Sequence, residues 1–316
     1  MSSYQENQQK YVTLKTREIL QELPPFIFDF FRGLEHKTSA NTRMAYAYDI
    51  RIFFNYLYEQ LDRFKALLSI KNITLRDLES IKPREIEMYL EYLSYYEAKT
   101  LESDEVVAHQ NGQNGKARKL ASIKTMYHYF YKQERITYDP TSIVDMPKIY
   151  EKPIIRLEID EIAKLLDVVE SGEQLTEKQK RYHECTKSRD LALIGVLLGT
   201  GIRVSECVGL NMEDVDFNYN GLKITRKGGN ETIVYFSQEV EKLLRDYISE
   251  RKEKVCKDLD NPLFLSMQNK RISVRSIQIL VKKYSTHVTS LKKSPLINSV
   301  LPMVHSSIKK PVIFTL

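Results

Sequence analysis

The chain has 316 residues, 42% apolar and 28% charged, an ordinary globular mix for about two domains with their own cores. Eleven glycines and ten prolines exclude collagen-like and low-complexity classes and favour helix. The net charge is +6, and Cys185, Cys207 and Cys256 form no C-x-x-C pair, which argues against a disulfide scaffold or cysteine zinc site and fits a reducing cytoplasm.

Met1–Lys10 is polar, with no targeting segment visible. Residues 11–35 read as one or two helices broken at Pro24-Pro25. In Ser39–Gln60, Tyr46, Ile50, Phe53, Phe54 and Leu57 recur at helical steps, and Ser39 or Asn41 can cap the helix. Pro83–Glu97 is a second helix with proline in its first turn. Glu97–Lys116, with Asn111-Gly112 and Asn114-Gly115, reads as a loop. Lys116–Gln133 is a third helix, built on Leu120, Ile123, Tyr127 and Phe130. Val144–Arg156 holds Pro147 and Pro153 and reads as an interdomain linker. Glu158–Glu170 is helical and Ser171–Ser188 a charged loop. Arg189–Leu198 is a buried helix closed by Gly199 and Gly201, its apolar run far short of the ~20 residues of a membrane span. After a turn at Asn211–Asp216, Leu222–Arg226 and Thr232–Phe236 form a hairpin around Lys227-Gly228-Gly229-Asn230. Gln238–Lys254 and Ser273–Tyr284 are helices, and Ser294–Leu316 has no period.

Charge is unevenly placed. Residues 261–316 hold no acid and nine basic residues: Lys270, Arg271, Arg275, Lys282, Lys283, Lys292, Lys293, Lys309 and Lys310. Such a segment is either a solvated basic face or a surface that contacts phosphates. Arg203 follows Gly201 at a helix junction, where a guanidinium bonds carbonyls, pairs with Glu206, or serves as a rigid fork for phosphate. Lys227 at the hairpin tip is either merely exposed or a reaching ammonium able to act as general acid. Thr42, Arg43 and Tyr46 share one helix, and Arg118, Lys119, Ser122 and Lys124 another; such side chains contact sugar-phosphate backbone and also populate inert surfaces.

These residues carry a resemblance. From about Thr38 to Ser290 the chain resembles the tyrosine-type site-specific recombinases of the phage integrase family, especially the Xer-like members. Asn41–Asp49 resembles the N-T-x-x-A-Y-x-x-D signature of the family's core-binding domain, and Arg118–Lys124, Asp139-Pro140 and Pro147-Lys148 its closing pattern. Thr200–Glu206 is similar to the T-G-x-R-x-S-E box, Arg226–Gly228 to the hairpin-lysine segment, and Ser273–Tyr284 to a DNA-contacting helix.

The resemblance implies a mainly α protein. A helical, SAM-like core-binding domain (38–143) follows an N-terminal extension (1–37), and a linker (144–156) leads to a mainly helical catalytic domain with a small β-hairpin (157–293) of the DNA breaking-rejoining type. It implies a clamp on duplex DNA, self-association as a tetramer on two duplexes, a cytoplasmic setting, and phosphoryl transfer through a 3′-phosphotyrosyl link without metal or cofactor. In those roles Arg203 stabilises the phosphate oxygens, Lys227 is the general acid, and Glu206 supports the site. Thr42, Arg43, Tyr46, Arg118, Lys119, Ser122, Lys124, Ser273 and Arg275 contact DNA.

The chain departs from the family after Lys293. The expected H-x-x-R box and nucleophilic tyrosine are absent: Ile308 stands three residues after His305, and the last tyrosine is Tyr284. Pro295–Val304 is compatible with a codon string that, read two bases later, gives Pro-His-Lys-Leu-Arg-Ser-Thr-Tyr-Gly, an H-x-x-R box in its expected place. The expectation is a frameshift near Lys293-Ser294, an incomplete catalytic domain, and a tail (294–316) without designed structure. The alternative is a DNA-binding protein that does not cut.

Overall fold

The computed structural model describes residues 3–99, 105–150, 157–226, 228–251 and 261–288. Those within Asn7–Glu151 form one compact unit; those within Lys152–Leu316, with the first residues of the chain up to Glu6, form the other. Among the described residues no helix is long and apolar enough to cross a membrane.

The first unit is helical. It contains most of α1 (Ser3–Leu20), then α2 (Ile27–Leu34), α3 (Ala40–Gln60), the short α4 (Asp62–Lys65) and α5 (Leu75–Glu79), α6 (Pro83–Tyr92) and α7 (Gln113–Lys132). Pro24-Pro25 separates α1 from α2, and the Ser39 hydroxyl caps α3 by accepting from Thr42 N at 3.3 Å. α3 and α7 bury the expected stripes, Ile50, Phe53, Phe54 and Leu57 against Leu120, Ile123, Tyr127 and Phe130. Edge-to-face rings fill the core, Phe53 on Tyr89 at 5.2 Å and Phe26 on Phe130 at 5.4 Å, and each buried Phe contributes about 2–3 kcal/mol. Residues 1–37, read from sequence as an extension, supply Ile19, Leu20, Leu23, Ile27, Phe30, Phe31 and Leu34 to this same core. The stretch read as a loop after α6 instead contains an antiparallel hairpin, β1 (Tyr96–Lys99) and β2 (Val106–His109), in register Tyr96↔His109 to Lys99↔Val106. It cuts the sixth helix short at Tyr92, because Tyr95-Tyr96 and Val106-Val107 favour strand.

The second unit starts with α8 (Ile159–Ser171), closed by Gly172 at φ 66°. α9 (Glu177–Thr200) is one long helix. Its first half corrects the expected charged loop: Thr176 and Gln179 form a capping box, with Gln179 N 3.4 Å from the threonine hydroxyl. The run that follows, to Arg181, consists of good helix formers. Gly199 lies inside this helix, and Gly201 alone ends it in the left-handed region at φ 64°. α10 (Val204–Gly209) leads to the sheet β3 (Val215–Asp216), β4 (Gly221–Thr225) and β5 (Glu231–Tyr235), ordered β3-β4-β5 and antiparallel. Leu222 and Ile224 face the core while Lys223 faces out. α11 (Gln238–Arg251) packs on α9 so closely that a Cβ on Gly195 would stand 2.7 Å from Leu243 Cδ1. α12 (Val274–Ser285) buries Ile277, Leu280, Val281 and Tyr284 against the same core. The expected aberrant tail, 294–316, lies outside the described residues.

Candidate functional site

Glu206 is the centre of the arrangement in the second unit. The left-handed turn at Gly201 and the buried Ile202 fix the backbone on which Arg203 stands as N-cap of α10. Arg203 N donates to Glu206 Oε2 at 2.8 Å, and Arg203 Nη1 to Oε1 at 2.8 Å. Arg226, at the end of β4, donates from Nη1 to Oε2 at 3.3 Å. The Glu206 side chain is 4% exposed, while those of Arg203 and Arg226 are 58% and 39% exposed. A buried carboxylate thus orients two guanidinium groups that keep much of their surface in solvent. Of the alternatives open for Arg203, the pairing with Glu206 is present, and the exposed remainder of the fork is free for an anion.

Beyond Arg226 the hairpin turns at Gly228 and Gly229, both at positive φ (98° and 88°). Arg226 N donates to Asn230 O at 2.7 Å and Gly229 N to Arg226 O at 3.1 Å. Lys227 lies outside the described residues. Lys223, on β4, pairs with Glu231 across the strands at 2.9 Å. Among the described residues no group of three or more His, Cys, Asp or Glu could hold a metal ion.

The residues read as DNA contacts divide by their surroundings. In the first unit, Arg118 Nη1 reaches the fully buried Asp49 at 2.5 Å and stays half exposed. Lys119 and Ser122 are buried: Lys119 Nζ donates to Asn111 Oδ1 at 2.9 Å and Ser122 Oγ to Lys119 O at 2.8 Å. Burial pushes the Lys119 ammonium below its ordinary pKa against the opposing pull of Asp49. Lys124 Nζ donates to Val144 O at 2.7 Å, and Arg43 Nη1 to Glu35 O at 3.0 Å, so each ties down a carbonyl. Thr42 belongs to the cap of α3, and Tyr46 is partly buried against the core. In the second unit Ser273 caps α12, accepting from Ser276 N at 3.0 Å, and Arg275 is exposed on its first turn.

The basic stretch at 261–316 is partly internal. Arg271 donates to Val208 O at 2.9 Å and Leu210 O at 3.0 Å, and Lys283 stands 3.5 Å from Asp190. Asp190 also accepts from Tyr284 OH at 2.9 Å and from Arg189 Nη2 at 2.7 Å. Tyr284, the last tyrosine of the sequence, is therefore buried on a carboxylate, and burial first, then the Asp190 charge, raise its phenol pKa. Sequence reasoning placed Asp49 in a signature but missed its pairing with Arg118, and it missed Asp190 and the partnership of Arg226 with Glu206. The only signal was the position of Arg226 beside Lys227.

Residues 156–294 match the phage integrase family. Over 290 residues the chain is 28% identical to the tyrosine recombinase XerC of Caldanaerobacter subterraneus subsp. tengcongensis, covering 88% of this chain and 74% of that protein. The Tn1549 transposon integrase, solved with circular intermediate DNA, superposes with a TM-score of 0.57 at 15% identity, covering 89% and 87% of the two chains. XerH recombinase, solved on a difH substrate before cleavage, gives a TM-score of 0.54 at 15% identity, covering 96% and 87% of the two chains. The mainly helical architecture with its small antiparallel sheets is the fold of these two solved structures. Residues 156–294 are thus similar to the phage integrase family, and over most of its length the chain is similar to Xer-type tyrosine recombinases.

Proposed function

We propose that this chain engages duplex DNA as a site-specific recombinase of the Xer type, and that the polypeptide of this sequence holds its site without cutting it. The observation that carries the reading is Arg203: an exposed guanidinium set on a buried carboxylate within the T-G-x-R-x-S-E segment. In phosphoryl transfer, positioning and charge stabilisation dominate. Arg203 supplies both to a non-bridging phosphate oxygen, Glu206 fixes its geometry, and Lys227 is the proton donor to the leaving 5′ oxygen. DNA contacts come from Arg118 in the first unit and Arg275 on α12, with assembly of several copies on paired duplexes.

The cleavage defect is inferred from two features. The family's H-x-x-R box is absent from its expected place after Lys293, and Tyr284 is engaged by Asp190. Losing one transition-state arginine costs on the order of 10³–10⁵ in rate. A shift of reading frame near Lys293 accounts for the absent box. The test is covalent trapping on a nicked duplex beside a gel shift across salt. The reading expects salt-sensitive binding and no covalent adduct; an adduct contradicts the cleavage defect, and salt-independent or absent binding contradicts the DNA reading.

A further inference from the structure

Two guanidinium groups meet on Glu206, and the T-G-x-R-x-S-E segment accounts for only one of them. The other, Arg226, comes from the end of β4, twenty positions further along the chain. Its backbone is fixed by the last strand pair, Thr225↔Glu231, and by the bonds to Asn230 O and from Gly229 N. Its side chain is fixed by Glu206 Oε2.

We propose that Arg226 is a second phosphate-contacting residue, which with Arg203 forms a cradle for one phosphodiester on the shared carboxylate. This rests on the reading of the site as a duplex-DNA surface. Two guanidinium charges against one carboxylate leave one unit of positive charge, which the single negative charge of a phosphodiester neutralises. The Glu206 oxygens are taken up by these arginines, so the remaining N–H donors of each fork are directed elsewhere. The neighbouring cavity is lined by Glu206, Glu213, Asp214 and Glu231, with Lys223 as the only cation among its described lining residues, so its net charge is negative and disfavours anions. Attraction for phosphate is therefore concentrated at the two forks.

A purely structural arginine looks different in this molecule. Arg251 is buried, with Nη2 on Asn261 Oδ1 at 2.7 Å and on Pro262 O at 2.8 Å. Arg226 makes one long contact to Glu206 and keeps 39% of its side chain exposed. That exposure is what a ligand-facing cation requires and a tie does not.

The experiment is the salt dependence of binding to a labelled DNA duplex by the full chain and three variants: Arg226→Ala, Arg226→Lys, and Arg203→Ala with Arg226→Ala. Each lost phosphate contact lowers the slope of log K against log salt by about 0.9. Arg226→Ala is expected to lose one such step and the double variant no further step, because the two arginines share one phosphodiester, while Arg226→Lys keeps the charge and the slope of the unsubstituted protein. An unchanged slope in Arg226→Ala overturns the proposal. Equal loss in Arg226→Ala and Arg226→Lys also overturns it, because charge at this position would then not be what matters. Absence of salt-sensitive binding by the unsubstituted chain overturns the DNA reading itself and this proposal with it.

Discussion

Glu206 and Asp190 are both buried carboxylates holding cations in the second unit, and they do opposite things with them. Asp190 gathers Arg189, Lys283 and the Tyr284 hydroxyl, and those two cations are only 13% and 19% exposed. Arg189 spends its other donor on Leu265 O at 2.9 Å. Every group there points inward and ties α12 to α9. Glu206 holds Arg203 and Arg226 by one side and leaves the other in solvent. The chemistry of the pair is the same; the solvent exposure of the cations separates the two centres. A buried ion pair adds little net stability but is costly to break, so each centre should respond to substitution through a different observable.

The largest effect is expected at the inward centre. Asp190→Ala leaves Arg189 and Lys283 without their buried counter-charge and should cost about 3–5 kcal/mol. Urea unfolding followed by a probe in the second unit checks this, and a loss below about 1 kcal/mol would dissolve the contrast.

Asp49 in the first unit is an intermediate case, fully buried yet holding the half-exposed Arg118. Burial lifts its carboxyl from 3.8 to about 6, against the lowering pull of Arg118 and Lys119. A raised folded-state value means that folding favours the protonated form. The associated stability is full below the unfolded value of 3.8 and is lost as pH rises through about 6. The change is on the order of 3 kcal/mol, readable as a decline in unfolding free energy of the first unit between those pH values. Asp49→Asn should flatten that decline; a variant with the same pH slope would show that another group titrates.

At the outward centre the expected effect is on binding. Arg203→Ala should weaken duplex affinity about tenfold at low salt, while folding stability changes by no more than about 1 kcal/mol because the guanidinium is largely solvated. The smallest effect belongs to Lys223, whose pair with Glu231 is exposed and screened by solvent. Thermal unfolding of Lys223→Ala is the check, and a clear loss would mean that exposure is a poor guide to energy in this molecule.

Helical periodicity in the sequence was enough to place α3 and α7, since Phe53 and Leu57 or Ile123 and Tyr127 follow one another at helical steps. The glycine-bounded Thr200–Glu206 segment identified Arg203 and Glu206 for the same reason: its information is local. The first half of α9 was hidden because its residues are polar on most faces, so no stripe marks it and only the Thr176 cap does. The β1–β2 hairpin was obscured by the Asn-Gly pairs that follow it and were read as part of one loop. The carboxylate partnerships were beyond sequence reasoning for another reason. Asp49 meets Arg118 across sixty-nine positions and Tyr284 meets Asp190 across ninety-four. The same long-range packing takes Lys119 and Ser122, which share a helix with the exposed Arg118, into the interior.

The most direct test of the account is the salt slope of duplex binding by Arg203→Ala beside that of the unsubstituted chain, with urea unfolding of both. The account predicts a slope lower by about 0.9 and nearly unchanged unfolding. An unchanged slope, or a loss of binding that merely tracks a loss of stability, would place Arg203 with Arg189 among the fastenings and contradict the assignment of the Glu206 centre as a phosphate site.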